Sequence, residues 1–470
     1  MRKAVAIGLM IHLLFAVGCA SIKNAPDLGG LYSPLAQHED PYRNPIIVIP
    51  GIMGSRLVDR NSGTVVWGAF GSSEVDPNTP DGARAIALPM ATGKPLRELT
   101  DDVESDGALD RLVLRIGGYP IELSAYAHIL GVLGVGGYRD ETLGESGVID
   151  WGDRHFTCFQ FDYDWRRDIV ETAQSLERFI QDKRRYVQRE IEARFGIENY
   201  DVKFDIVAHS MGGLVARYYL RFGAADLPAD GRLPSVTWEG GRHVENLVMI
   251  GTPGAGSLDA LWSLVNGHRP ALLFPKYAAV TLGTMPSVYE MLPRSRHQPL
   301  VDPNGRPVPD IFAAELWRKN GWGLADPGQD RMLQYVMPDI EDPHQRRRIA
   351  LEHQHKALER ARQFTAAMDA GAVRPRHLRY FLIAGDAEPT PKTARFDHRH
   401  RLKVIEYAPG DGVVLRSSAL LDERTAENRF GRLISPIEWS QILFLFTDHL
   451  ELTRDPVFTD NMLYFLLEAP

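Results

Sequence analysis

The chain has 470 residues, long enough for one large domain with insertions or for two domains. Its 44% hydrophobic and 24% charged residues are those of an ordinary globular protein. A formal net charge of −8 argues against a nucleic-acid-binding surface.

Met1 to Cys19 reads as a targeting segment, with Arg2 and Lys3 as its positive start, Ala4 to Val17 as its apolar stretch and Ala16-Val17-Gly18-Cys19 as its small-residue end. The stretch is too short to span a bilayer comfortably. A cysteine directly after small residues resembles the bacterial lipobox. That implies removal of a leader over 1–18, lipidation of Cys19 and an exported chain anchored to a membrane surface; ordinary secretion is the alternative. With Cys19 acylated, Cys158 is the one other thiol, so no intrachain disulfide forms. Residues 19–44 are polar and rich in Pro, Gly, Asn and Asp without periodicity, and a tether is expected there.

Ile46-Ile47-Val48-Ile49 is an unbroken apolar run, which suits a central parallel strand covered on both faces. The loop after such a strand commonly donates an oxyanion-hole N–H, so the backbone N–H of Ile52 in Pro50-Gly51-Ile52-Met53-Gly54-Ser55 is a candidate; a plain tight turn is the other reading. From Arg56 to Thr157 no chemistry is evident. Gly63 to Gly68 reads as a hairpin bearing Trp67, residues 69–118 as mostly loops, and Leu123 to Leu133 as a short helix. His155 to Phe161 reads as a strand and Ile169 to Phe195 as a long helix. Val170, Ala173, Leu176, Ile180, Val187, Ile191 and Phe195 make its buried stripe, with Lys183-Arg184-Arg185 on the solvated face.

Val202 to Ala208 rises into an apolar strand, and Leu214, Val215, Tyr218 and Tyr219 recur at helical spacing. Ser210 therefore sits on a sharp corner between strand and helix, in Ala208-His209-Ser210-Met211-Gly212. This is Gly-x-Ser-x-Gly with alanine for the first glycine, a nucleophile elbow. The N–H of Met211, at the positive end of the helix, is the second oxyanion-hole candidate. A serine that merely caps its helix is the bland alternative.

Val244 to Ile250 gives a further strand, and the alternation of strands with helices predicts an α/β fold with a doubly wound, mostly parallel sheet. Residues 257–375 interrupt it and read as an inserted helical cap, leaving 45–256 and 376–470 as the core. Arg346-Arg347-Arg348 reads as a solvated helix start. Strands return at His377 to Ala384 and Leu402 to Tyr407, the second running into Gly410-Asp411-Gly412. His398 and His400 share a strand face, but no third ligand stands nearby, so neither a metal nor another cofactor is expected.

A serine hydroxyl needs an adjacent base, and the base needs a carboxylate. Hydrolases built on such an elbow place the acid and then the histidine after the serine. From Asp411 onward His449 is the only histidine, so Ser210, Asp411 and His449 form the expected triad, with Asp386 as the alternative acid.

The Pro50 to Ser55 turn, Tyr163-Asp164-Trp165-Arg166, the Ser210 elbow, Gly410-Asp411-Gly412, His449-Leu450 and Pro286 to Pro293 together resemble the lecithin:cholesterol acyltransferase family, over about 45–455. The resemblance implies an α/β-hydrolase that takes fatty acyl chains from phospholipids or related acyl-ester lipids through an acyl-serine intermediate, without metal. It also implies that Trp165 lines the acyl pocket. The paired cysteines that brace the membrane-binding region of the animal enzymes are missing here. The expected activity is a lipid-directed serine esterase, either a lipase or phospholipase A or an acyltransferase. A catalytically silent lipid- or partner-binding lipoprotein and an esterase for small soluble esters are the rival readings.

Overall fold

The computed structural model describes residues 26–68, 75–109, 126–270, 274–424 and 431–469, with the backbone of 112–116 and 119–123. The leader and Cys19 lie outside them. Among the described residues no helix is long and apolar enough to cross a membrane.

The expected tether is in part a folded element. Helix α1 (Leu28–Gln37) is capped by Asp27, and the hydroxyl of buried Tyr32 donates to Asp460 Oδ1 at 3.1 Å. Polar composition concealed it because a ten-residue helix lying on a domain buries only one narrow face. After β1 (Ile46–Ile49), strands β2 (Ser55–Asp59) and β3 (Val65–Trp67) form the Trp67 hairpin. The stretch expected to be loops, 69–118, instead contains α2 (Pro80–Ile86), β4 (Val103–Ala108), which pairs with β2, and β5 (Leu112–Ile116), which forms a hairpin with the following β6 (Tyr119–Leu123). Val103-Glu104-Ser105-Asp106-Gly107 carries no apolar alternation because the whole strand lies near the surface. The short helix expected from Leu123 begins later, as α3 (Ala127–Val135), and α4 (Glu141–Glu145) follows.

Next come β7 (Cys158–Gln160), α5 (Ile169–Phe195), β8 (Phe204–His209), α6 (Met211–Phe222) and β9 (Val244–Ile250). The predicted stripe of α5 is buried except at Phe195. Lys183 and Arg184 on its other side are engaged with Glu141 and Asp201, so they are paired rather than merely solvated. The inserted segment contributes α7 (Leu258–Asn266), α8 (Ala279–Gly283), α9 (Pro286–Glu290), β10 (Leu300–Val301), α10 (Ala314–Asn320), α11 (Asp330–Val336) and α12 (Pro343–Asp369). Here the arginine run departs from a solvated helix start. Arg346 is buried and donates to the carbonyls of Ile340 and Glu341, and Arg347 donates to those of Leu324 and Asp326. The chain closes with β11 (Arg379–Gly385), β12 (Glu388–Phe396), β13 (Leu402–Gly410), α13 (Arg416–Leu420), β14 (Gln441–Leu445) and α14 (Pro456–Leu467).

The central sheet has the order β14-β11-β9-β8-β1-β7, and every pair in it is parallel. Ile47 and Ile49 pack into the core on one face while Ile46 and Val48 pack into the core on the other, the physical basis of the unbroken apolar run. The β13 strand does not belong to this sheet. It pairs antiparallel with β12, and β12 pairs with β10, forming a small separate sheet whose outer face is solvated. His400 makes a 2.6 Å contact from Nδ1 to Asn320 Oδ1, and among the described residues no group of three or more His, Cys, Asp or Glu is placed to hold a metal ion.

The inserted segment is fastened to the core at the start of α5. Arg360, on α12, donates to Asp168 Oδ2 at 2.5 Å and to Asp226 Oδ1 at 2.6 Å. Glu290, at the end of α9, accepts from Ile169 N at 2.7 Å. Asp168 and Glu290 are both buried, and burial together with the Asp168 charge raises the Glu290 pKa well above the carboxylate range. At the junction Asp168 therefore meets both the Arg360 guanidinium and the Glu290 carboxyl.

Candidate active site

Ser210 stands where β8 stops and α6 begins, with φ 52° and ψ −123°. A non-glycine residue held at positive φ costs on the order of 1–3 kcal/mol and persists only where its surroundings enforce it. Those surroundings are close backbone contacts. A Cβ at Gly51 would lie 2.8 Å from Ser210 Cβ, and one at Gly212 would lie 2.5 Å from the Pro50 carbonyl oxygen. Only glycine at both positions lets the β1 loop reach the serine. Ala208, where the motif usually has glycine, is fully buried inside β8, so a methyl group fits there.

The three residues expected to work together converge. His449 Nε2 lies 3.2 Å from Ser210 Oγ, and His449 Nδ1 lies 2.7 Å from Asp411 Oδ2. An ionised carboxylate only accepts, so Nδ1 carries the proton and Nε2 offers its lone pair to the serine hydroxyl. The other oxygen, Asp411 Oδ1, accepts from Val413 N at 3.0 Å and Val414 N at 2.6 Å, and the Asp411 carbonyl accepts from His449 N at 2.9 Å. Burial opposes the Asp411 charge, but the His449 ring and these two N–H groups outweigh it and lower its pKa. Burial likewise opposes protonation of His449. The Asp411 charge and hydrogen bond, followed by Asp259 and Asp448, outweigh it and raise the imidazole above 6.5.

Asp411 reaches this place by an indirect route. The β12–β13 hairpin leaves the end of β11, runs out over the small sheet and returns Asp411 beside Gly385, where a Cβ would sit 2.7 Å from Asp411 Cβ. Asp386, the alternative acid, is bound to Arg416 and makes no hydrogen bond to His449.

The N–H groups of Ile52 and Met211 have no acceptor among the described residues, and Ile52 lines the same cavity as Ser210. Two tyrosines hold the loop that carries Ile52. Gly51 N donates to Tyr126 Oη at 2.6 Å, and Tyr163 Oη donates to the Pro50 carbonyl at 2.7 Å. The Tyr126 hydroxyl lies 3.1 Å from His209 Nδ1, completing a relay from Gly51 N–H through the phenol to the ring next to the serine. Burial, and then the nearby His449, press the His209 pKa down to about 3, so its Nδ1 is free to accept.

Neither Tyr126 nor His209 had a sequence signal for this role, because their partners are distant in the chain. Tyr126→Phe leaves Gly51 N and His209 Nδ1 without their shared partner in a buried site. The expected result is a loss of about 1–3 kcal/mol of stability with a lower kcat, read from urea unfolding and ester turnover.

The cavity beside Ser210 encloses about 90 Å³ and is largely apolar, with Ile52, Leu282, Val288, Met291 and Val414 on its walls. Trp165 is not among its lining residues. Its indole is fully buried behind the loop, donates to the Ser55 carbonyl at 3.2 Å and meets Trp67 edge-on at 5.5 Å. The Tyr163 to Arg166 run therefore braces the Pro50 to Ser55 loop. In the same run, Arg166 is held by Asp164 and Asp101.

Residues 148–312 match the family model described as lecithin:cholesterol acyltransferase. Among solved structures, a chain of the Tle4-Tli4 complex is similar at 14% identity, over 90% of this chain and 98% of that one, with a TM-score of 0.53. Lipase 1 from Pelosinus fermentans is 12% identical over 91% of this chain and 99% of its own, with a TM-score of 0.33. EstA from Clostridium botulinum is 15% identical over 90% and 87%, with a TM-score of 0.32. No curated protein matches the sequence.

Proposed function

Starting from an enzyme of the hydrolase/acyltransferase kind on the α/β-hydrolase fold, we propose that it is a serine esterase acting on lipid acyl esters. Ser210 Oγ attacks the ester carbonyl while His449 Nε2 takes its proton, and Asp411 holds the imidazole in the tautomer that allows this. The oxyanion is received by the N–H groups of Ile52 and Met211, each contributing roughly 3 kcal/mol to lowering the barrier. His449 then returns the proton to the leaving alcohol. Water or a second alcohol, deprotonated in turn by His449, releases the acyl group from Ser210.

The observation that carries this reading is the His449 ring, 3.2 Å from the serine on one side and 2.7 Å from the carboxylate on the other. A mostly apolar cavity beside the serine suits a fatty acyl chain. The deciding experiment supplies phospholipid vesicles with and without a sterol and follows free fatty acid and new ester together. A folded protein that releases neither overturns the proposal.

His449 acts as a base only when neutral, and its pKa is raised by Asp411. Activity is thus lost as pH falls through a value above 6.5. The kcat/KM profile should show its acid limb there, and Asp411→Asn should move the limb downward. The reading extends to a lipid anchor at Cys19; Cys19→Ser should shift the protein from the membrane to the soluble fraction.

A further inference from the structure

The cavity next to Ser210 has a polar wall that the reaction described above does not use. Asp259, Ser263 and His268 all line it, and all come from α7 and the turn that follows. A spacing of four residues puts Asp259 and Ser263 on one face of α7, and Ser263 Oγ lies 3.3 Å from His268 Nδ1. Asp259 sits in the first turn of its helix, where the Ser257 hydroxyl accepts from its N–H at 3.1 Å and the helix dipole favours a negative charge.

This carboxylate has no cationic partner among the described residues, and no lysine or arginine lines the cavity. Its field reaches both imidazoles, raising the proton affinity of His449 and opposing the burial that keeps His268 low. The charge-bearing side chain on this polar wall is therefore a carboxylate, and its field reaches the reacting centre. A carboxylate half-withdrawn from water gains from a cation brought to it. A fatty acyl chain carries no charge, so the cation must belong to the alcohol half of the ester.

We propose that Asp259, with Ser263 and His268 beside it, forms a subsite for a positively charged group, an ammonium, on the alcohol half of the substrate. The proposal rests on Ser210 as the nucleophile, so its test separates the two. The probes are butyrylthiocholine and its carbon isostere, in which a carbon replaces the quaternary nitrogen. Both are assayed at one pH on the alkaline plateau of the kcat/KM profile, above the His449 limb. In the unaltered full chain, kcat/KM should favour the cationic thioester about tenfold. Asp259→Asn should bring the ratio close to unity, and Asp259→Glu should retain most of it. A ratio near unity in the unaltered protein, or one that Asp259→Asn leaves unchanged, overturns the subsite. Fluorophosphonate labelling is run on the same samples: labelled protein with a flat ratio sinks the subsite alone, whereas unlabelled, folded protein sinks the serine mechanism and the subsite with it.

Discussion

Ser210→Ala is expected to lower ester turnover by about 10⁴-fold or more and to abolish fluorophosphonate labelling, with the unfolding midpoint little changed. Without Oγ the His449 lone pair has only water to activate. A residual rate is expected from the two backbone donors proposed for the oxyanion, Ile52 and Met211, which the substitution leaves in place. Asp411→Asn reaches a similar loss by another route. If its amide oxygen keeps the Val413 and Val414 N–H groups, its NH₂ must face His449 Nδ1. That drives the ring proton to Nε2, pointing at the serine, and the base is gone; about 10⁴-fold in kcat is the expected cost. Full activity in either variant would end the serine mechanism.

Arg360→Met carries the largest expected stability effect. It removes the guanidinium that faces Asp168, whose side chain is 2% exposed and whose Oδ1 caps Val170 N at 2.7 Å. Breaking a buried ion pair from one side leaves an uncompensated charge, at about 3–5 kcal/mol. Adding Asp168→Asn should recover much of that loss, because the remaining partner is then neutral. The same junction fastens the segment that supplies Leu282, Val288 and Met291 to the cavity, so kcat/KM should fall in parallel. A shift in urea stability below about 1 kcal/mol would show that buried Asp168 does not depend on Arg360.

The most distinctive parts of this protein are written in local pattern. Helix α5 is legible to its end residues because its stripe, its Asp168 cap and Gly196 at φ +67° all occupy neighbouring positions. The Ser210 corner is legible because a buried strand passes directly into a helix. His449 follows from order and uniqueness rather than from any local signal. Errors cluster where partners are remote or burial is partial. Helix α1 and strand β4 look polar because one side faces water, and Arg346 looks solvated until the carbonyls that receive it are seen. Trp165, expected on the cavity wall, lies behind the loop because its N–H finds Ser55 there.

Short-range choices belong to the amino-acid order alone: which runs are strands covered on two faces, and where a serine is forced onto a tight corner. The folded chain had to be seen to learn which carboxylate meets His449, that β13 leaves the central sheet, and that Tyr126 holds Gly51 across 75 residues. The division has a physical cause. Backbone conformation is governed by adjacent side chains, whereas a hydrogen bond between distant residues forms only after the chain has folded and carries no imprint in the spacing of either partner.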